Sequence, residues 1–227
     1  MVVVVAVISG NVALAVGADV TAKAGPAEGV GITAKVGTLG FGGDLTIGLM
    51  DQLNVRFGFN YLNLDIKKDD VTSRVKEISS AIDLKTVSAL LDWHPTGMGF
   101  RISAGGMLNK NRLALSAIPN DTVKIDDMEF TVDRLDGEIT FKDFAPYVGI
   151  GYGNAGKQDK DTHWRFSFDL GAMFQGEPTV KLSATASDPS VQPALDQAVE
   201  AEKKDKEDTI KAFKIYPVLS FGLSYVF

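Results

Sequence analysis

Apolar and polar residues alternate with a period of two along most of the chain from residue 29 onward, the pattern of strands whose successive side chains point to opposite faces. The alternation is clearest near the C-terminus. There Phe213, Ile215, Pro217, Leu219, Phe221, Leu223, Tyr225 and Phe227 share one face, and Ser220, Gly222 and Ser224 the other. Trp164, Phe166, Phe168, Leu170, Ala172 and Phe174 likewise stand opposite Arg165, Ser167, Asp169 and Gly171. The same holds for Leu53, Val55, Phe57, Phe59 and Tyr61 against Asn54, Arg56, Gly58 and Asn60, and for Phe100, Ile102 and Ala104 against Arg101, Ser103 and Gly105. Alternation alone fits a sandwich in water as well as a membrane protein.

Turn signals divide this region into eight segments, near 29–37, 39–50, 53–66, 79–94, 99–118, 135–153, 162–186 and 212–227. Short breaks at 51–52 and 94–97 alternate with long polar excursions at 67–78, 119–134 and 187–211. Outer-membrane barrels share this asymmetry of tight periplasmic turns and long outside loops. The 37–40 corner then reads as an outside hairpin that stays short, and 154–161 falls on the turn side. The fold predicted is all-β: an eight-stranded antiparallel transmembrane up-and-down β-barrel with one helical extracellular loop insertion. That helix is drawn over 190–211, a solvated stretch rich in Ala, Glu and Lys. A crossing strand needs only about 9–11 residues, so strands five to seven should project beyond the membrane. Breaks in phase near Tyr61-Leu62, Thr86-Val87 and Asn109 to Arg112 are read as bulges or as exits from the lipid band.

Residues 1–18 carry no charged side chain and reach the small-x-small sites Ala13-Leu14-Ala15 and Val16-Gly17-Ala18. They read as a signal peptide cleaved after Ala15 or Ala18, with 19–28 as linker and 29–227 as barrel. If retained, the leader should form a helix or a tail outside the barrel. The mean hydropathy of +0.06 excludes a bundle of transmembrane helices but not a barrel, whose two faces average out. The 227 residues contain no cysteine, so disulfides and thiolate metal sites are excluded. A net charge of −6 argues against nucleic acid as a partner. Most of that charge lies in the excursions: 188–211 holds seven acids and four bases, and 119–136 six acids and two bases.

The ending YPVLSFGLSYVF resembles the C-terminal targeting strand of bacterial outer-membrane barrels. The resemblance implies an assembly signal made of Leu219, Phe221, Leu223, Tyr225 and Phe227, read by the barrel-assembly machinery. The chain as a whole is similar to small proteobacterial outer-membrane barrels of the OmpA-barrel and OmpW type. LLDWHPTGMGFRISAG, FAPYVGIGYGN and FSFDLGAMFQGEP look like segments of a widespread proteobacterial barrel family.

Eight strands enclose an interior just wide enough for side chains to fill. The parity of the strands assigns Lys35, Asp44, Thr46, Arg56, Asp92, Arg101, Arg165 and Asp169 to that lumen. Their charges nearly cancel, as expected of a salt-bridged plug. The two histidines, His94 and His163, fall at the turn-side rim beside tryptophans, where amphipathic rings favour the headgroup level. No HExxH, P-loop or helix-opening GxGxxG occurs, and Gly149-Ile150-Gly151-Tyr152-Gly153 lies in a strand, where small residues make room for lumen side chains. The expectation is a non-enzymatic, cofactor-free, monomeric outer-membrane barrel in contact with lipid and lipopolysaccharide. Its role is structural or surface-interacting, with a narrow porin-like channel or transporter for small solutes as the alternative.

Overall fold

The computed structural model describes residues 2–8, 11–17, 29–72, 75–120, 122–125, 128–157 and 163–227. Val2–Ile8 (β1) and Asn11–Gly17 (β2) pair only with one another, in a hairpin apart from the main sheet. These residues, read from the sequence as a leader, are extended where a helix or tail was expected, in keeping with the β preference of a valine run. The linker at 19–28 lies outside the described residues.

The main sheet contains β3 (Val30–Gly37), β4 (Gly40–Met50), β5 (Leu53–Thr72), β6 (Val75–Trp93), β7 (Phe100–Asn109) and β8 (Arg112–Pro119). After a small separate hairpin of β9 (Val123–Ile125) and β10 (Met128–Phe130) come β11 (Val132–Thr140), β12 (Phe144–Tyr152), β13 (Trp164–Phe174) and β14 (Thr179–Ala186). Helix α1 (Gln192–Ile210) and β15 (Ile215–Val226) complete the chain. Neighbours run β6-β5-β4-β3-β15-β13-β12-β7, and β7 pairs back onto β6, so these eight strands close a ring. Strands β8, β11 and β14 carry the sheet on from β6 as an open wall above one end of it.

Three interruptions separate ring from wall, at 110–111, 141–143 and 175–178. At the first, pairing keeps one register: Thr86 faces Asn109 below the break and Asp83 faces Arg112 above it. Strands five, six and seven of the sequence are therefore long strands, each divided at the rim of the ring, and they do project as predicted. The segment 67–78, expected as a loop, is instead mostly strand, with Lys67 opposite Ser79 and Lys68 opposite Ile78. Part of the 119–134 excursion forms the β9–β10 hairpin.

No phase break occurs at Tyr61-Leu62 or Thr86-Val87, because β5 and β6 pair without a shift from Leu53 to Asp69. What changes is the surroundings. Within the ring the outward residues are apolar, with Phe166 81% and Phe41 68% exposed. Above it the outward positions of the same strands are Asn63, Asp65, Asp83 and Arg112, while Leu62 and Leu84 turn inward. The apolar band measures nine residues on β5 (Leu53 to Tyr61) and nine on β12 (Phe144 to Tyr152), the length that crosses a bilayer. Aromatic girdles mark both edges: Trp93, Phe100, Tyr152 and Trp164 at the turn side, Phe41, Tyr61, Phe144 and Phe174 at the wall side. Among the described residues no helix is long and apolar enough to cross a membrane.

Helix α1 forms where expected but is not simply solvated. Leu195, Ala198 and Val199, spaced along one face, are buried against Ile125, Phe130, Val132, Ala184 and Ala186. Helix and small hairpin together cover the far end of the wall.

Candidate functional site, the ring interior

The lumen is filled in three layers. At the turn side Asn54 donates through Nδ2 to Asn154 Oδ1 at 3.0 Å and to His94 Nε2 at 3.1 Å, and His94 Nδ1 donates to the Met98 carbonyl at 3.1 Å. His94 is fully buried, which holds it below its ordinary pKa and leaves it neutral. This corrects its placement as a girdle residue. His163 is the rim histidine, stacked on Tyr225 at 5.4 Å.

The middle layer is an ion-pair network centred on Arg56. Its guanidinium meets Asp92 at 2.8 Å, Asp169 at 3.2 Å and Asp44 at 3.6 Å. Lys35 Nζ holds Asp44 at 2.6 Å, and Arg101 holds Asp169 at 2.8 Å. Ser103 donates to Asp92, and Arg101 also donates to the Gly153 carbonyl. Every one of these charges is nearly excluded from solvent, Arg56 at 5% and Asp92 at 1% exposure. Three bases face three acids, so the layer is neutral, the condition under which buried charges persist. Thr46, the uncharged member of the predicted set, is buried beside them.

Arg165 stands apart. It lies toward the turn-side rim, where Nη2 donates to the Lys157 carbonyl at 3.3 Å and its side chain borders an open pocket with Tyr152 and Phe166. Strand parity gave its direction but not its height, since Arg165 is the second residue of β13 and Asp169 the sixth.

The third layer is apolar. Leu39, from the β3–β4 turn, packs with Leu90, Met107, Ala145, Tyr147, Met173 and Val218 across the wall-side end. Sequence reasoning missed this layer, although Met107 and Met173 share the inward parity of the charged residues on their strands, and Tyr147 that of Gly149 and Gly151. Gly149 and Gly151 leave the room taken by the Tyr147 hydroxyl and by Arg101 and Asp169. Among the described residues, two small cavities lie between the layers, with about 10 and 20 Å³ of water-accessible room, each space for one water at most. Arg56 lines both and separates them.

Gly58 makes the network possible, because a Cβ there would press on Asp44 Oδ1 and on Ser88 Oγ. Gly58→Val should cost about 1–3 kcal/mol through overpacking, measured as a lower urea midpoint of the refolded protein. Among the described residues no group of His, Asp and Glu side chains is arranged to hold a metal ion. Leu219, Phe221, Leu223, Tyr225 and Phe227, the residues the resemblance implies as an assembly signal, all share the outward parity of the last strand, and Tyr225 sits 5.2 Å from both Trp164 and Phe227.

No family model matches the chain, and no curated protein matches it in sequence. Solved structures do. CarO of Acinetobacter baumannii superposes with a TM-score of 0.59 at 23% identity, over 88% of this chain and 98% of that one. CarO2 of the same organism gives 0.61 at 21%, over 89% and 100%. A major outer membrane protein of Thermus thermophilus aligns over 88% and 98% at 14% identity, with a TM-score of 0.38 that adds nothing to the argument. That likeness is one of fold; in this chain the apolar side chains turned out over a bilayer-high band and the ion pairs turned in are the arrangement of an outer-membrane β-barrel protein, and the lipid-facing band places the chain in the bacterial outer membrane.

Proposed function

We propose that the chain is an eight-stranded transmembrane barrel with a closed lumen, in the size class of the OmpA-barrel and OmpW proteins, and that its role is structural or surface-interacting rather than catalytic. The observation that carries this reading is the filled interior. A neutral ion-pair layer lies between a hydrogen-bonded Asn-His layer and an apolar layer, with room for no more than isolated waters. A solute crossing it would have to displace Arg56 from three carboxylates at once.

The working surface is then the wall of β5, β6, β8, β11 and β14 with its helix and small hairpin, which faces outward if the tight turns are periplasmic. Lipid and lipopolysaccharide are the proposed contacts, the barrel-assembly machinery the proposed reader of the last strand, and the monomer the proposed state. The tight turns and the leader's small-x-small sites support export and this orientation. Conductance of the refolded protein in planar bilayers is the test: a closed lumen gives no stable channels, and a narrow porin-like path gives reproducible ones.

A further inference from the structure

The outward face of the wall changes character in three steps with height. At the top of the lipid band stand Tyr61, Leu108 and Phe144, all exposed. Level with Tyr61, the cross-strand partner of Lys85, and above Leu108 and Phe144, Lys85 and Lys110 lie side by side, joined by the Lys110 N–H to Lys85 carbonyl bond at 2.9 Å, and Arg112 follows two residues on. Like charges on adjacent strands repel. Asp143 lies 2.6 Å from Lys110, and Asp83 and Glu138 lie 2.8 and 3.4 Å from Arg112. Glu138 is shared with Lys181 at 3.4 Å. Lys85 is set over the Tyr61 ring at 5.7 Å. Four bases thus meet three acids, leaving one positive charge at the boundary.

Above the bases the same face forms a groove of about 400 Å³. Its floor is small, made by Ser79, Ala81, Ala114 and Ser116, and Asp65 and Lys67 rise on one side, with Asp136, Glu138 and Lys181 on the other. Apolar, cationic and open polar surfaces follow in that order along the membrane normal.

We propose that this face binds a phosphorylated glycolipid of the outer leaflet. Its acyl chains lie against Tyr61, Leu108 and Phe144, its phosphate meets Lys85, Lys110 and Arg112, and its sugars occupy the groove. The match is one of charge and of height, because the cationic row sits where the phosphates of a surrounding leaflet lie. The inference rests on the proposed orientation, with the wall on the outer side, and gives the lipopolysaccharide contact its residues.

The test uses the full chain refolded in detergent micelles, with four probes: rough-type lipopolysaccharide, the same glycolipid after dephosphorylation, lipid A alone, and inorganic phosphate. Lys85→Gln with Lys110→Gln, checked for the heat-modifiable gel shift of a folded barrel, should bind lipopolysaccharide roughly tenfold or more weakly, since each base near an anionic surface contributes about 1 kcal/mol. Dephosphorylated glycolipid should bind wild type with a comparable loss, and inorganic phosphate should not compete. Ala114→Trp, which fills the groove floor and leaves every base in place, should weaken binding of lipopolysaccharide more than that of lipid A alone. Unchanged affinity in the folded double variant, or equal binding of the two glycolipids, overturns the proposal. Displacement by inorganic phosphate reduces the site to a simple anion site and overturns it as well. Conductance of the same preparations reads the lumen separately, so a conducting barrel that still discriminates the glycolipids counts against the closed interior alone.

Discussion

Arg56→Ala should destabilise the refolded protein by about 3–5 kcal/mol, the cost of leaving buried charges without their partner. The loss is large because Arg56 touches Asp44, Asp92 and Asp169 at once, so its removal leaves three buried carboxylates against Lys35 and Arg101. Adding Asp92→Leu to Arg56→Met should recover much of the loss. That pair of changes restores neutrality, with Lys35 still on Asp44 at 2.6 Å and Arg101 still on Asp169 at 2.8 Å. Urea unfolding from lipid vesicles, followed by the fluorescence of Trp93 and Trp164, measures both. A single variant as stable as wild type would mean that water reaches the network freely. Arg165→Ala should be far milder, because Arg165 lies outside this network.

The second large effect is expected on the opposite face. Phe221 is 55% exposed, the seventh residue of the twelve-residue β15, and packs 5.2 Å from Phe168. On a protein in water, replacing an exposed phenylalanine by arginine is close to neutral. At the middle of a lipid-facing band it costs about 2–4 kcal/mol. Phe221→Arg should therefore lower vesicle stability by that amount and reduce the inserted fraction, whereas Phe213→Arg, beyond the end of β15, should do little. Equal and small effects at the two positions would contradict the membrane assignment of the ring.

The strands were legible because lipid and lumen impose opposite requirements on alternate residues, which writes a period of two into the sequence. All eight segments have strands at their centres. The alternation also aimed Arg56, Arg101, Asp92 and Asp169 at one interior. Height along the barrel axis was not legible from parity, so Arg165 was grouped with charges it does not reach. The apparent phase breaks at Tyr61-Leu62 and Thr86-Val87 had a physical source other than bulges. Above the membrane the outward positions meet water and hold Asn63, Asp65 and Asp83, while Leu62 and Leu84 take the inward ones, so the apolar residues change sides while the strand runs on. The apolar layer was hidden because Tyr147 and Met173 lie between lipid-facing apolar neighbours, and Leu39 belongs to a turn. In the same way the charge of α1 concealed the buried stripe that holds Leu195, Ala198 and Val199.

Single-channel recording of the purified wild-type protein in planar bilayers tests the closed interior most directly. The filled lumen predicts a quiet membrane, with no reproducible conductance steps at protein densities where a porin control opens readily. Stable wild-type channels whose ion selectivity shifts when Arg56 is neutralised would contradict it, and would make the charged layer the lining of a path.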